Sequence, residues 1–199
     1  MLDINIKTIS EIESRYYFTP IKEGLEEKAK VIGDIKSMDY LTEIMQNATA
    51  KMEILIQDRI KNGIISNADQ ARKTIAGNGF QGLVAYSLIK LQEKNLLNPN
   101  LALTLKPKKH PLIEKYATIK VGDDVQKPDI DLLIYYHPDA EKYPVIIYSI
   151  KTSLRERAGQ TYRWKLLMDI VSSNDCKTIK EKYSLTYKAM DNFKRWRRI

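Results

Sequence analysis

The chain has 199 residues, of which 43% are hydrophobic, and this size allows one globular domain or a core domain with a helical appendage. It contains no apolar run long enough to cross a bilayer, and the start "MLDINIKTISEIESRYY" lacks the basic and apolar regions of a secretory signal. The single cysteine, Cys176, excludes an intrachain disulfide and a catalytic or metal-binding cysteine cluster, so we expect a cytoplasmic protein without membrane contact.

The formal net charge of +8 is unevenly distributed along the chain. Residues 1–67 are mixed in charge and close to neutral, whereas the segment from Lys151 onward is strongly basic and ends in "KRWRRI". A basic surface of this kind favours a polyanion such as nucleic acid as a partner. A generic basic surface, or a solvated chain terminus, would give the same pattern.

The first part of the chain is predicted to be helical. Between about residues 21 and 62 apolar side chains recur at steps of three and four, in a composition rich in Glu, Lys, Ala, Met and Leu. Gly33 and the "KSMD" stretch are expected to break this region into two helices, and Gly63 is expected to end the second. We therefore predict an N-terminal helical subdomain over residues 1–65, which makes dimer contacts, DNA contacts or both.

The stretch "SNADQARKTIAGNGFQGLVAYSLIKLQEKN" predicts two further helices. Ser66 or Asn67 could cap a short helix, which the "AGNG" sequence is expected to interrupt. Asn78 would then cap a second helix that ends near Glu93 and carries an apolar stripe with Gln81 beside it. The glycines near the start of that helix allow a close approach by backbone or ligand.

Two β-rich runs, "IDLLIYY" and "PVIIYSI", are separated by the turn-forming "HPDAEKY", which predicts a β-hairpin. Both runs are almost continuously apolar, as expected of central strands covered on both faces. From about Ser153 the pattern becomes helical, and more helix is predicted over "KTIKEKYSLTYKAMDNFKRWRRI". This order of elements predicts an α/β or α+β fold around a small central sheet, and we take α/β as the expectation. Residues 66–199 are expected to form the core and to end in a basic C-terminal helix.

The two ends of the predicted hairpin carry an acid and a lysine. Asp129 stands at the start of the first strand and Lys151 at the end of the second, so antiparallel pairing across a short turn would bring them together. A carboxylate can hold Mg²⁺, which prefers oxygen ligands, and a lysine beside it can orient water or stabilise developing negative charge. The pair therefore suits phosphodiester hydrolysis, in which a divalent metal polarises the phosphate and activates water.

The motif "PD" at Pro128–Asp129, followed by an apolar strand and by "SIK" at Ser149–Lys151, resembles the PD-(D/E)XK nuclease superfamily. The continuation "KTSLRER" is similar to a string in type II restriction endonucleases, notably those that read CCGG or CCNGG sites. This resemblance covers about residues 66–170. It implies a restriction-endonuclease-like central mixed sheet flanked by helices, an N-terminal helical subdomain, and Mg²⁺-dependent cleavage of double-stranded DNA.

Carried over by position, the resemblance implies roles for three residues of the hairpin. Asp129 would be a metal ligand, and the backbone carbonyl of Ile150 could add a second ligand. Lys151 would be the catalytic lysine. The superfamily also often carries an acid two residues before the lysine and a glutamate on the helix before the sheet; Ser149 and Gln81 stand at those places here.

Further departures and alternatives concern the acids. The acid that the CCGG-type group carries on the following helix corresponds to Trp164 in this chain. Asp131 is a further candidate acid, or else a buried and paired strand residue. Two alternatives follow: the chain is a natural variant with a sparse metal shell, or Gln81 stands where an inactivating change has removed a glutamate.

The resemblance also implies how DNA would be read. Arg155 and Arg157 would donate hydrogen bonds to guanine in the major groove, and Glu156 would accept one from cytosine, which suits the groups that these bases present. Arg163, Lys165 and the basic C-terminus would contact phosphates, which position a protein on DNA without specifying sequence. For each of these residues the alternative is an ordinary solvated charge on a helix.

The sequence thus predicts a sequence-specific endonuclease for double-stranded DNA, of the type II restriction class. A homodimer is expected, because a short palindromic C/G-containing site matches a two-fold symmetric protein. The first alternative is a structure-specific repair or junction nuclease of the same fold. The second is a catalytically degenerate DNA-binding protein, which the amide of Gln81 and the hydroxyl of Ser149 in place of acids would explain.

Overall fold

The structure is a computed structural model, and it describes residues 1–150, 158–173 and 175–187. The chain divides into two units, residues 1–105 and residues 106–199. The predicted helical subdomain of residues 1–65 lies inside the first unit, where a fifth helix and a strand pack with it. Its predicted role in dimer or DNA contacts stays a prediction.

The first unit is helical apart from one strand. Its elements are α1 (Asp3–Glu13), α2 (Thr19–Ile32), α3 (Asp34–Ser37), a 3-10 turn (Met38–Tyr40), α4 (Leu41–Lys61), α5 (Ala68–Glu93) and β1 (Leu101–Leu105). The predicted breaks are confirmed: Gly33, with φ of 88°, ends α2, and Gly63, with φ of 69°, follows α4. Glycine serves here because other residues rarely adopt a positive φ.

The core of the first unit joins α1, α2, α4 and α5. Helix α2 packs on α4, and α4 packs on α5. Fully buried side chains from these helices include Ile12, Ile21 and Leu83, and the rings of Phe18 and Tyr86 meet edge to face with centroids 5.3 Å apart. Burial of such side chains is the main term that favours folding, which explains the apolar spacing in the sequence.

The predicted interruption at "AGNG" is wrong, because α5 runs unbroken from Ala68 to Glu93. Asn67 is its N-cap, and its side chain accepts a hydrogen bond from the amide of Gln70 at 2.9 Å. Asn78 lies inside the helix and caps nothing. The glycines instead allow close packing: a Cβ added at Gly79 would lie 2.8 Å from Cε of Met45. Tertiary contacts thus override the local helix-breaking tendency of glycine.

The second unit mixes short helices and strands. Its elements are α6 (Pro111–Tyr116), β2 (Ile119–Val121), β3 (Asp124–Gln126), β4 (Leu132–Tyr136), β5 (Ile146–Tyr148), α7 (Ala158–Ser172), α8 (Lys177–Lys182) and β6 (Leu185–Tyr187). The predicted hairpin is confirmed: β4 pairs antiparallel with β5, with Leu132 opposite Tyr148 and Ile134 opposite Ile146. Strand β2 pairs antiparallel with both β3 and β6.

The two strands of the hairpin differ in burial. Strand β4 is buried along nearly its whole length, as predicted, whereas Ile146 and Tyr148 of β5 are exposed. The prediction that both strands are covered on both faces is therefore wrong for β5. An apolar, β-branched run favours a strand through its propensity alone, so it does not distinguish a covered strand from an exposed one.

The end of the described chain also differs from the prediction. Helix α8 stops at Lys182, Ser184 adopts a positive φ of 48°, and the chain turns back as β6 beside β2. Leu185 of β6 is buried with Ile119 and Val171. This burial stabilises the strand relative to a longer helix. The rest of the predicted basic C-terminal helix, residues 188–199, lies outside the described residues.

The α/β composition that the sequence predicts is thus present, while the central mixed sheet stays a prediction. Among the helices that the structure describes, none has the length and apolar character that crossing a bilayer requires.

Candidate active site

Asp129 lies three residues before β4, ahead of the hairpin, whereas the sequence predicted it at the start of the strand. Its side chain is 33% exposed, and Oδ1 lies 3.8 Å from Nζ of Lys108. An acid with this exposure can be reached by a ligand from solvent. The neighbouring ammonium group makes the surface beside it basic, which suits an anionic partner.

Lys108 belongs to a loop, residues 106–110, that backbone bonds hold against the start of β4. The amide of Lys106, whose φ is 49°, donates to the carbonyl of Asp131 at 2.9 Å. Nζ of Lys127 donates to the carbonyl of Lys108 at 3.0 Å and also bonds to the carboxyl group of Glu114. The loop therefore holds Lys108 beside Asp129. Only the lysine-rich "KPKKHP" sequence hinted at this, and we did not predict a role for it.

The same loop ends at His110, which is the N-cap of α6. The amide of Leu112 donates to Nδ1 of His110 at 3.2 Å, and the ring of His110 lies 5.0 Å from that of Tyr135. Partial burial lowers the pKa of His110, because an imidazolium ion loses hydration there. The neutral ring that accepts the amide bond is therefore favoured.

The sequence left two alternatives for Asp131, and the structure agrees with the buried and paired residue. It is 7% exposed, and its Oδ2 accepts a hydrogen bond from the amide of Ile150 at 2.7 Å. Its own amide donates to the carbonyl of Tyr148 at 2.9 Å. The carboxyl group thus lies at the end of β5 and contacts the backbone of the predicted "SIK" motif.

The predicted site residues fall into three groups. Ser149 and Ile150 follow β5, with Ser149 exposed and Ile150 half-buried. Gln81 lies half-buried in α5, within the first unit, and its predicted role stays a prediction. Lys151 lies outside the described part of the chain. So do the predicted base-reading residues Arg155, Glu156 and Arg157.

Arg163 and Lys165 lie on α7, and both are exposed. Between them in the sequence, Trp164 is half-buried and packs with Leu167 against the cluster of Ile119, Val171 and Leu185. The helix therefore buries one face and leaves the two basic side chains in solvent, where phosphate contacts are available.

A metal would have to be held by few protein atoms. Within residues 1–150, 158–173 and 175–187, no three His, Cys, Asp or Glu side chains lie close enough together to hold one ion. The partly exposed carboxyl group of Asp129 and the carbonyl of Ile150 are oxygen donors, which Mg²⁺ prefers. Mg²⁺ usually keeps several waters and takes one or two carboxylates, so a single carboxylate is compatible with such an ion. That Asp129 and Ile150 hold a metal together stays a prediction.

The net charge belongs to the second unit. Residues 106–199 contain 20 Lys and Arg against 12 Asp and Glu, whereas residues 1–105 contain 13 of each. The whole formal charge of +8 therefore lies in the unit that carries Asp129, α7 and the segment after β5.

Residues 108–199 match the family model described as "BsaWI restriction endonuclease type 2". The chain is also similar to a Methanocaldococcus jannaschii protein named "Putative type II restriction enzyme MjaVIP", with 25% identity over 150 residues, which is 67% of this chain and 64% of that protein. The chain thus spans less than two thirds of that relative's length. No solved structure matches it.

These likenesses agree with the resemblance seen in the sequence at the level of type II restriction endonucleases, while the CCGG-reading group stays a prediction. The match covers nearly all of the basic second unit, including Asp129 and the hairpin. Residues 108–199 are therefore similar to a restriction endonuclease domain, and this likeness supports a DNA endonuclease.

Proposed function

We propose that the protein is a sequence-specific endonuclease that hydrolyses phosphodiester bonds of double-stranded DNA with Mg²⁺, as a type II restriction enzyme. The observation that carries the proposal is the position of Asp129. This partly exposed acid precedes a hairpin whose second strand leads into Ser149–Lys151, inside the segment that matches the restriction endonuclease model.

The catalytic roles follow from the chemistry of the hairpin residues. Asp129 and the carbonyl of Ile150 would hold the metal, and Mg²⁺ when bound polarises a phosphate and lowers the pKa of water. Lys151 would orient the attacking water and stabilise the negative charge that develops on the phosphate. Ser149 would add a weak oxygen ligand or hold a water.

DNA recognition would use the basic second unit. Arg155, Glu156 and Arg157 would contact guanine and cytosine edges, which favours a short site containing C and G. The exposed Arg163 and Lys165 of α7 would contact phosphates, so they would add affinity without sequence preference. A palindromic site would require a homodimer, because each half-site needs one copy of the reading residues.

A catalytically degenerate DNA-binding protein is the second candidate. Gln81 and Ser149 replace the acids that nucleases of this kind often carry, and the described residues contain no cluster of three possible metal ligands. Such a protein would bind a specific site tightly without cutting it.

The test is digestion of a sequenced plasmid with Mg²⁺ or Mn²⁺, followed by mapping of the fragment ends. Discrete ends at one sequence support the restriction function, whereas ends at junctions or damaged sites would indicate a repair nuclease. Sequence-specific binding without cleavage would indicate the degenerate protein.

The variant that tests the mechanism is Lys151→Ala, which should abolish cleavage and leave DNA binding largely intact. Lys177→Ala is the control, since Lys177 is highly exposed on α8 and pairs with Glu181. Unchanged cleavage by Lys151→Ala would refute the proposed role of Lys151.

A further inference from the structure

We infer that Asp131 is a positioning residue, whose side chain fixes the backbone at Ile150 and so aligns the "SIK" segment for cleavage. The part of this inference that concerns cleavage rests on the proposed function. The sequence raised Asp131 only as a spare acid or a structural residue, and the geometry assigns it a specific task.

Three hydrogen bonds join Asp131 to two other segments. Its amide donates to the carbonyl of Tyr148 and its carbonyl accepts from the amide of Lys106, both at 2.9 Å. Its Oδ2 accepts from the amide of Ile150 at 2.7 Å, which is at the short end of the range for such bonds. Of these three bonds, the last depends on the side chain, so a substitution at Asp131 can remove it while the two backbone bonds stay possible.

The bond to Ile150 lies where the ladder between β4 and β5 ends. Within the described part of the chain, the last paired residues of this ladder are Leu132 and Tyr148. Strand ends beyond the last rung open easily. The carboxyl oxygen of Asp131 takes the place of a strand carbonyl for the amide of Ile150.

The two acids of the "PDID" sequence, Asp129 and Asp131, differ in exposure and in the role that we propose for each. Asp129 is 33% exposed and can be reached by a ligand, whereas Asp131 is 7% exposed and directs Oδ2 at a backbone amide. The task that we infer for Asp131 is therefore to hold the backbone at Ile150. Since Ile150 offers the predicted carbonyl ligand and precedes Lys151, its placement bears on both.

The experiment compares Asp131→Ala with Asp131→Asn. The asparagine keeps an oxygen that can accept the Ile150 amide, whereas the alanine removes the acceptor. Thr118→Val is the matched control, because Thr118 is fully buried in the same unit and its hydroxyl also bonds to a backbone group, the carbonyl of Ile113. Each variant is measured for single-turnover cleavage, DNA affinity and hydrogen exchange of the Ile150 amide by NMR.

Asp131→Ala should lower the single-turnover rate on the order of a hundredfold, the usual cost of misplacing a reacting group slightly, and leave DNA affinity unchanged. Asp131→Asn should restore most of the rate, and Thr118→Val should retain it. The Ile150 amide should exchange faster in Asp131→Ala than in the other two proteins.

Two results would overturn the inference. A wild-type rate in Asp131→Ala would show that the bond is dispensable, and an equal loss in a folded Asp131→Asn would show that the carboxylate itself is needed, as a metal ligand would be. If the wild-type protein cuts no DNA, the proposed function fails separately. The exchange rate of Ile150 then still decides whether Asp131 holds this segment, and an unchanged rate in Asp131→Ala refutes it.

Discussion

Nζ of Lys108 lies 3.8 Å from Oδ1 of Asp129, and Lys127 bonds to the carbonyl of the same lysine. A cation is thus held beside the acid that is proposed to bind the metal. Because the side chain of Lys108 is 62% exposed, the pair with Asp129 adds little stability, and the ammonium group remains accessible to a phosphate.

We expect Lys108→Ala to weaken DNA binding by a similar factor for all sequences, as the loss of one phosphate contact does. The slope of log K against log salt should become shallower by about one. Titration of DNA at several salt concentrations measures this slope. Lys51→Ala is the matched control, because Lys51 is also 62% exposed and paired with an acid, Glu23, in the neutral first unit. An identical slope in both variants would rule out the contact.

The N-terminal helix stabilises the first unit through Asn5. Nδ2 of Asn5 donates to Oε1 of Gln92 at 2.7 Å and to the carbonyl of Leu101 at 2.8 Å, and its Oδ1 accepts from the amide of Leu103 at 2.8 Å. Asn5 is fully buried, so helix α1 satisfies backbone groups of β1 that would otherwise need another strand.

Asn5→Ala should therefore lower the free energy of unfolding by at least about 2 kcal/mol, because buried polar groups lose their partners. Urea denaturation followed by circular dichroism measures the change. Asn62→Ala, at an exposed position after α4, should change it little. Equal effects of the two substitutions would contradict the role of Asn5.

The glycines of α5 should respond differently to alanine. A Cβ at Gly77 would meet nothing within 4 Å, so Gly77→Ala should raise the free energy of unfolding by about 0.5–1 kcal/mol through helix propensity. A Cβ at Gly79 would lie 2.8 Å from Cε of Met45 and 3.1 Å from Cδ1 of Ile21, so Gly79→Ala should gain less or lose stability. Thermal unfolding of both variants checks the order, and a more stable Gly79→Ala would contradict it.

His110 should make stability depend on pH. Because burial lowers the pKa of His110 in the folded protein, the unfolded chain takes up the proton first as the pH falls. The contribution of His110 to the free energy of unfolding is fully present above its unfolded pKa of about 6.5. It declines as the pH falls toward the pKa of His110 in the folded protein.

His110→Asn removes the titrating ring and keeps a side chain that can cap α6. The decline in unfolding free energy between about pH 7 and pH 5 should become smaller than in the wild-type protein. His137→Asn is the control, as the only other histidine in the chain. A decline that persists in His110→Asn and disappears in His137→Asn would assign the effect to the wrong residue.

Sequence patterns predicted the secondary structure well where interactions between residues close in the chain decide it. Apolar spacing identified the N-terminal helices, and Gly33 and Gly63 marked their ends because both adopt a positive φ. The β-rich runs identified the hairpin of β4 and β5. Where a distant contact competes with local preference the prediction failed, as for "AGNG" inside α5 and for β6, which pairs with β2 instead of continuing a helix.

The sequence by itself indicated a likeness to type II restriction endonucleases and pointed to a candidate acid. "PD" before an apolar strand and "SIK" followed by "TSLRER" indicated a likeness to restriction endonucleases, and Asp129 lies three residues before β4. Only the tertiary structure decided that Asp131 is buried against the amide of Ile150 and that Lys108 lies beside Asp129. Both contacts join residues about twenty positions apart, and side-chain spacing within one element carries no information about which segments meet.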